Sequence, residues 1–261
     1  MADSGLDKRF DALRAIAREA GDLARRHFEN RDATAYKFKG PQDYITAADG
    51  AVEKLIVGRI AEMFPGDTCF GEEGGGTFSD SVWVIDPIDG TANFARGIPH
   101  FCVSIALVRD GKPALGAIAS PMTAELFTAR RGAGAWVNDR PMRVSATNDI
   151  RNAVVELGWS GRRPNAAYTS MVQRVLDAGA SFRRAGSGAL GLVDVAAGRV
   201  DGYCELHINS WDCLAGNLMV EEAGGWVNDF LANDGLTRGN ALLAVAPGIE
   251  DAMVALSGVG R

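Results

Sequence analysis

Apolar positions in residues 9–28 recur at a helical period. Leu13, Ile16, Ala20, Leu23 and Ala24 fall on one side, and Arg18, Asp22 and Arg25 fall elsewhere. That pattern predicts an amphipathic helix. A second helix is expected over about 47–63, with Thr46 as N-cap, Val52, Leu55, Ile56 and Ile60 inward, and Pro65-Gly66 as its stop. The pattern then shortens to strand-like runs. Residues 82–85 (VWVI) lead straight into acidic residues, and residues 101–108 and 114–119 flank Arg109-Asp110-Gly111-Lys112, a hairpin signature. Residues 125–128 and 134–137 continue that sheet. In the second half, 153–157 and 202–205 predict strands, and 165–178, 188–197 and 211–223 predict helices. Residues 226–229 and 241–246 predict the final strands. Helices and strands alternate, yet the early sheet turns by hairpins. The expected class is therefore a mixed α/β (α+β) layered fold rather than a simple doubly wound sheet.

Composition narrows the class. The 261 residues are 47 % hydrophobic and 23 % charged, the balance of a globular protein able to bury a core without disulfides. No repeat or linker interrupts the chain, so one unit over 1–261 is expected, with approximate halves 1–150 and 151–261. The triple glycine Gly74-Gly75-Gly76 is too short for a linker and is expected to form a loop. The net charge of −6 argues against a broad nucleic-acid footprint, which is usually basic. The clusters Arg25-Arg26, Arg130-Arg131, Arg162-Arg163 and Arg183-Arg184 are expected on solvated faces with a few anion contacts. None of the four cysteines forms a CxxC pair, and Cys69, Cys102 and Cys204 sit in apolar runs as small buried hydrophobes. The segment MADSGLDKRF has no apolar leader core, and no stretch approaches about 18 uninterrupted apolar residues. A cytoplasmic, reduced protein with no membrane contact is expected.

Candidate chemistry enters with the carboxylates. In Asp86-Pro87-Ile88-Asp89-Gly90-Thr91 a buried strand ends and two acids appear at once. Pro87 pushes Asp86 toward extended backbone, and Gly90 permits close backbone approach. Residues after Gly90 are expected to begin a short helix. Two carboxylates with the Ile88 carbonyl between them make a hard oxygen cluster of the kind Mg²⁺ prefers. Alone, this motif is also satisfied by a simple turn with an Asx contact. Glu72-Glu73 alone is a solvated acidic turn, and Asp49 and Asp212 alone are first-turn acids favoured by a helix dipole. Their joint occurrence, in this order, is what points to a metal site.

The ordered set DYITAAD, GEE, DPIDGTANF and WDCLAGNLMVEEAGG resembles the inositol monophosphatase family, and the likeness runs from about residue 10 to 250. The resemblance implies a layered αβαβα sandwich with a mixed, largely antiparallel N-terminal sheet and a smaller C-terminal sheet. It further implies a homodimer, two or three Mg²⁺ ions with Mn²⁺ as a substitute, and inhibition by Li⁺. Carried over by motif position, Glu72, Asp86 and the Ile88 carbonyl would hold a first metal, and Asp86, Asp89 and Asp212 a second. Glu72 would also help hold a weaker third. Thr91, hydrogen-bonded to Asp49, would orient the attacking water, and the Gly90 and Thr91 N–H groups would cradle the phosphate. Glu205, seven residues before Asp212, matches the position that contacts substrate hydroxyls, and Ala189 matches a residue lining that pocket. His27, His100 and His207 receive no catalytic role. The sequence departs from the family pattern at Lys37 and Lys39, which compete for one lysine position. It departs again around Gly158-Trp159-Ser160-Gly161, which can border the substrate.

The implied reaction is hydrolysis of a small phosphate monoester by an activated water. The metal machinery is common to a wider superfamily and does not choose the leaving group. Glu205 and Trp211-Asp212 resemble the inositol phosphatases more than the histidinol-phosphate branch, which ranks myo-inositol 1-phosphate first, although an acid there could accept from hydroxyls or pair with a cationic amine. Histidinol phosphate is the alternative, followed by fructose 1,6-bisphosphate and adenosine 3′,5′-bisphosphate. The resemblance also includes a bacterial branch that joins transcription antitermination complexes, so a non-enzymatic interaction role stands as a separate class.

Overall fold

The structure is a computed structural model that describes residues 4–31, 36–40, 43–76 and 79–260; the side chains of residues 4, 38–40 and 43 lie outside the description. The chain opens with helix α1 (Ser4–Glu29), five residues earlier than the apolar period suggested, because Asp7 supplies a first-turn acid ahead of it. The antiparallel pair β1 (Tyr36–Gly40) and β2 (Asp43–Thr46) follows, then α2 (Ala47–Met63). Thr46 caps α2 as expected. Its hydroxyl accepts from the Ala48 N–H, and its own N–H donates to Asp49, a capping box.

Strands β3 (Thr68–Gly71), β4 (Gly75–Gly76) and β5 (Ser81–Asp89) lead through the short helix α3 (Thr91–Arg96) into a meander. Gly75 and Gly76 thus pair with β3 instead of forming a plain loop. The meander comprises β6 (Cys102–Arg109), β7 (Lys112–Ser120), β8 (Glu125–Arg130), β9 (Gly134–Val137) and β10 (Arg140–Pro141). Its sheet has the order β10-β9-β8-β7-β6-β5-β3-β4, antiparallel except where β3 runs parallel to β5. The second half contributes β11 (Val154–Leu157), α4 (Asn165–Asp177), β12 (Ser181–Arg183), α5 (Gly188–Ala196), β13 (Gly202–Ile208) and α6 (Ser210–Glu222). It ends with β14 (Trp226–Val227), α7 (Gly235–Arg238), β15 (Asn240–Val245) and α8 (Glu250–Ser257). These strands make a mixed sheet in the order β12-β11-β13-β15-β14.

Three apolar clusters stack the elements into five layers. Leu13, Ile16 and Ala20 of α1 and Val52, Ile56 and Ile60 of α2 pack on Trp83, Ile85, Ile105 and Leu107 of the large sheet. Its other face, through Val84, Ala106, Ile118 and Phe127, meets Leu192, Leu214 and Leu218 of α5 and α6. Those helices also cover Tyr203 and Leu242 of the small sheet. Beyond it, Val155, Cys204 and Leu243 pack against Met171 and Val175 of α4 and Met253 of α8. The expected αβαβα sandwich is the observed one. Its central strand β5 is buried on both faces, which is why its sequence runs apolar without alternation. The indole N–H of Trp83, fully buried there, donates to Asp67 at 2.9 Å, and Arg9 holds the same carboxylate through two hydrogen bonds. Cys102, Cys204 and Cys213 are buried as small hydrophobes, whereas Cys69 is only half-buried at the start of β3.

Candidate metal and phosphate site

The acidic motif sits where β5 stops being regular. Asp86 pairs with Ser104, but Asp89 pairs with Cys102, so β5 carries one extra residue against β6. Pro87 lies in this bulge, beyond the last residue paired with β3, where its missing N–H costs no ladder bond. The bulge re-aims the two acids. Asp86 is 1 % exposed and its side chain accepts the Ile88 N–H at 2.9 Å, the Asx contact that the plain-turn alternative also calls for. Gly90 then turns the chain at φ 94°, and a Cβ there would lie 3.0 Å from the His100 carbonyl oxygen. Glycine alone fits both demands. Helix α3 starts directly after it, as expected.

Asp89 is 8 % exposed and meets the second half of the chain. It accepts the Ser187 hydroxyl at 2.5 Å and the Ala189 N–H at 2.7 Å on one oxygen, and the Gly188 N–H at 3.3 Å on the other. Asp212 arrives from α6, where it closes a capping box by accepting the Asn209 N–H at 3.2 Å. One carboxylate oxygen from each of Asp86, Asp89 and Asp212 lies within 4.8 Å of the others.

Electrostatics follows from this crowding. Burial, then the charges of Glu72, Asp212 and Asp89, hold the Asp86 carboxyl well above the ordinary carboxylate range. Burial, with the Asp89 charge next, pushes Asp212 up to about 7. Burial raises Asp89 as well, opposed by its three N–H and O–H donors. Among the described residues, no lysine, arginine or histidine forms an ion pair with any of the three. Converging buried acids without a cationic partner are a donor set that fits a hard divalent cation.

Asp49 stands on the other side of Gly90. It accepts the Thr46 hydroxyl at 2.6 Å and N–H at 2.8 Å, and lies 3.3 Å from the Thr91 hydroxyl. Thr91 is nearer to the Ile88 carbonyl, at 2.8 Å. That carbonyl therefore already accepts one hydrogen bond and has its second lone pair to offer. Glu72 follows β3, with its N–H on the Ile85 carbonyl at 3.2 Å. It stays outside the tight trio, yet its charge reaches Asp86.

A cavity of about 160 Å³ opens beside the trio, lined by Asp89, Glu156, Trp159, Arg184, Glu205 and Asp212 among others. Glu205 accepts the Tyr203 hydroxyl at 2.6 Å, and burial pushes its own carboxyl up to about 7. Ala189 corrects the expectation. Its methyl is fully buried in the core and only its backbone N–H serves the site, on Asp89, while Ser187 and Gly188 line the cavity. His207 places Nε2 3.0 Å from the Arg238 carbonyl oxygen, in keeping with a structural role, and His27 is half-buried on α1. Lys37 is exposed, and the side chain of Lys39 lies outside the described residues. A separate cavity of about 420 Å³, bordered by Leu23, His27, Tyr36 and Phe94, contains none of these acids.

Sequence reasoning missed Ser187 and Asn93. Asn93 donates to the His100 and Ala185 carbonyls at 2.8 and 2.9 Å, clipping the loop that delivers Ser187 to Asp89. Ser187 could be read as the N-cap of α5, and it does accept the Leu190 N–H. Its partner 98 residues away could not.

The five-layer sandwich thus gathers buried acids at a bulge of an inner strand of its large sheet. The profile of the inositol monophosphatase family matches residues 6–256, and the chain belongs to that family. It is 41 % identical over 249 residues to the Nus factor SuhB of Escherichia coli, covering 94 % of this chain and 93 % of that protein. Among solved structures it is similar to the extragenic suppressor protein suhB of Bartonella henselae (35 % identity, TM-score 0.88, 96 % and 98 % of the two chains). It is also similar to the inositol monophosphatase of Anabaena (32 % identity, TM-score 0.84, 97 % and 96 %).

Proposed function

We propose that this chain is a Mg²⁺-dependent phosphatase of small phosphate monoesters, acting first on myo-inositol 1-phosphate. The observation that carries this reading is the uncompensated acidic trio Asp86, Asp89 and Asp212, beside a hydroxyl-bearing Thr91 and a cavity with room for one small ring. Asp86, Asp89 and Asp212, with Glu72 and the Ile88 carbonyl, would hold two or three divalent ions, Mn²⁺ being an alternative to Mg²⁺. Such ions supply Lewis-acid polarisation of the phosphoryl oxygens and lower the pKa of a water. Thr91, positioned by Asp49 and the Ile88 carbonyl, orients the attacking water in line with the ester bond. The Gly90 and Thr91 N–H groups receive the phosphate, and Glu205 accepts hydrogen bonds from hydroxyls of the leaving alcohol. Histidinol phosphate and the sugar and nucleotide bisphosphates are weaker substrates in this reading. A homodimer, Li⁺ sensitivity and a cytoplasmic location belong to the same proposal. Among the described residues, no helix is long and apolar enough to cross a membrane. The test is phosphate release from a panel of these esters with and without Mg²⁺. Release that ignores Mg²⁺, or that favours histidinol phosphate, overturns the reading.

A second reading is favoured by the names of the relatives. Proteins 41 % identical to this chain are called Nus factor SuhB, which supports a role as an antitermination partner alongside, or instead of, turnover. Capture of RNA polymerase or ribosomal RNA by the purified chain, unchanged in Asp89→Asn, is expected if that role is present. Failure to capture either removes it.

A further inference from the structure

The cavity beside the acids does not end at Glu205. It adjoins an outer basin of about 860 Å³, and the two share Trp159, Glu205, Ile208 and Asp212 as walls. Trp159 therefore stands at the junction, in the segment where the sequence departs from the family pattern. The fold fixes it there. Gly158 donates its N–H to the Cys204 carbonyl at 2.9 Å, and a Cβ on Gly158 would fall 2.0 Å from Glu205 Oε2. The backbone before Trp159 is thus pressed against the Glu205 carboxylate. The one polar atom of the indole is already used, since its N–H donates to Asn165 Oδ1 at 2.9 Å. What Trp159 offers to both cavities is hydrocarbon π surface. The Arg184 guanidinium, 5.9 Å from the ring centre, borders the inner cavity as well.

We propose that Trp159 is a specificity-determining residue, its indole forming the platform for the C–H face of a cyclic polyol whose hydroxyl edge is taken by Glu205. This inference rests on the phosphatase reading above and deepens it. The substrate class becomes ring alcohols that are apolar on a face and polar on an edge, cyclitol or pyranose phosphates, in preference to acyclic alcohols. An acyclic alcohol has no flat face to lay on the indole. A site that combines an apolar platform with a fixed acceptor discriminates on both features at once.

The test compares myo-inositol 1-phosphate with glycerol 2-phosphate, an acyclic ester, in the wild type, Trp159→Ala and Trp159→Phe, with Mg²⁺ present. Trp159→Ala is expected to raise KM for the inositol ester about tenfold with kcat within about twofold, and to leave glycerol 2-phosphate within about twofold. Trp159→Phe is expected to recover most of the loss, because it restores an aromatic face without the N–H. Equal losses on both esters, or an unchanged KM for the inositol ester, overturn the platform while leaving the phosphatase reading intact. Absence of phosphate release from either ester by the wild type overturns both together.

Discussion

Besides burial, the Asp89 charge raises the proton affinity of both Asp86 and Asp212, and among the described residues no lysine, arginine or histidine forms an ion pair with any of the three. Removing one charge by an isosteric amide should therefore separate chemistry from stability at Asp212. Asp89→Asn or Asp212→Asn is expected to lose at least about a hundredfold in phosphate release, since each deletes a charged ligand. Asp212→Asn is expected to melt no lower than the wild type in chelator, because a destabilising charge has gone, whereas Asp89→Asn sets its NH2 against a backbone N–H donor and is expected to melt lower. A normal rate in either, or a collapsed melting temperature in Asp212→Asn, contradicts the assignment. The pH dependence has a definite sign. Asp212 titrates near 7 in the fold against an ordinary value of 3.8, so the folded protein binds its proton more tightly than the unfolded chain does. The resulting cost is absent below about 4, grows as pH rises and is complete above about 7. Glu205 adds a cost of the same sign over the same range. Metal-free protein should melt several degrees lower at pH 8 than at pH 5.5. Asp212→Asn should flatten that slope, and thermal melts in chelator at the two pH values decide it.

Elements carry these residues, and one cap does two jobs. Thr46 closes α2 and also hydrogen-bonds the Asp49 that positions Thr91. Thr46→Ala is expected to cost about 1–2 kcal/mol of stability in denaturant titration. It should also lower the rate, with Thr46→Ser restoring both. Ser187→Ala should cost about 0.5–2 kcal/mol of stability, because α5 loses its side-chain cap, and reduce activity about tenfold or more, since Asp89 loses its shortest hydrogen bond. Much at this scale was legible. The period of α1, the cap of α2 and the hairpin of β6 and β7 follow from local pattern. Strand β12 did not show itself, because Ser181-Phe182-Arg183 is three residues long at a sheet edge with Phe182 exposed. The bulge in β5 was hidden too, since Pro87 signals irregularity but not the register of the partner strand. Ala189 was misplaced for a related reason. A motif position identifies a residue, but whether its side chain or its N–H faces the site depends on how α5 is rotated.

At the scale of the molecule, the candidate site is a junction of layers. Asp86 and Asp89 belong to the large sheet, Asp212 to a middle helix, and the donors to Asp89 to the loop entering α5. No local pattern states that these meet; the ordered motifs did so only through resemblance to a family. Binding at a junction stabilises every element that contributes to it. Mg²⁺ is expected to slow amide exchange at the end of β5 and the start of α6 more than in the outer helices α4 and α8. Uniform protection, or none, in hydrogen-exchange mass spectrometry would argue against a cation at that junction.

The hydrogen bonds of Asp89 also limit what it can give. A carboxylate oxygen has about two lone-pair directions. Oδ2 spends both, on the Ser187 hydroxyl and the Ala189 N–H, whereas Oδ1 meets only the longer Gly188 contact. Asp89 can thus hand an ion a single oxygen and cannot grip it with two. Calcium, a larger ion that often takes carboxylates two oxygens at a time, is poorly served by such a donor. Magnesium, which asks for one oxygen in each octahedral direction, is well served. In the proposed reaction, the loop before α5, far along the chain from Asp86 and Asp89, would act as the filter on ionic radius.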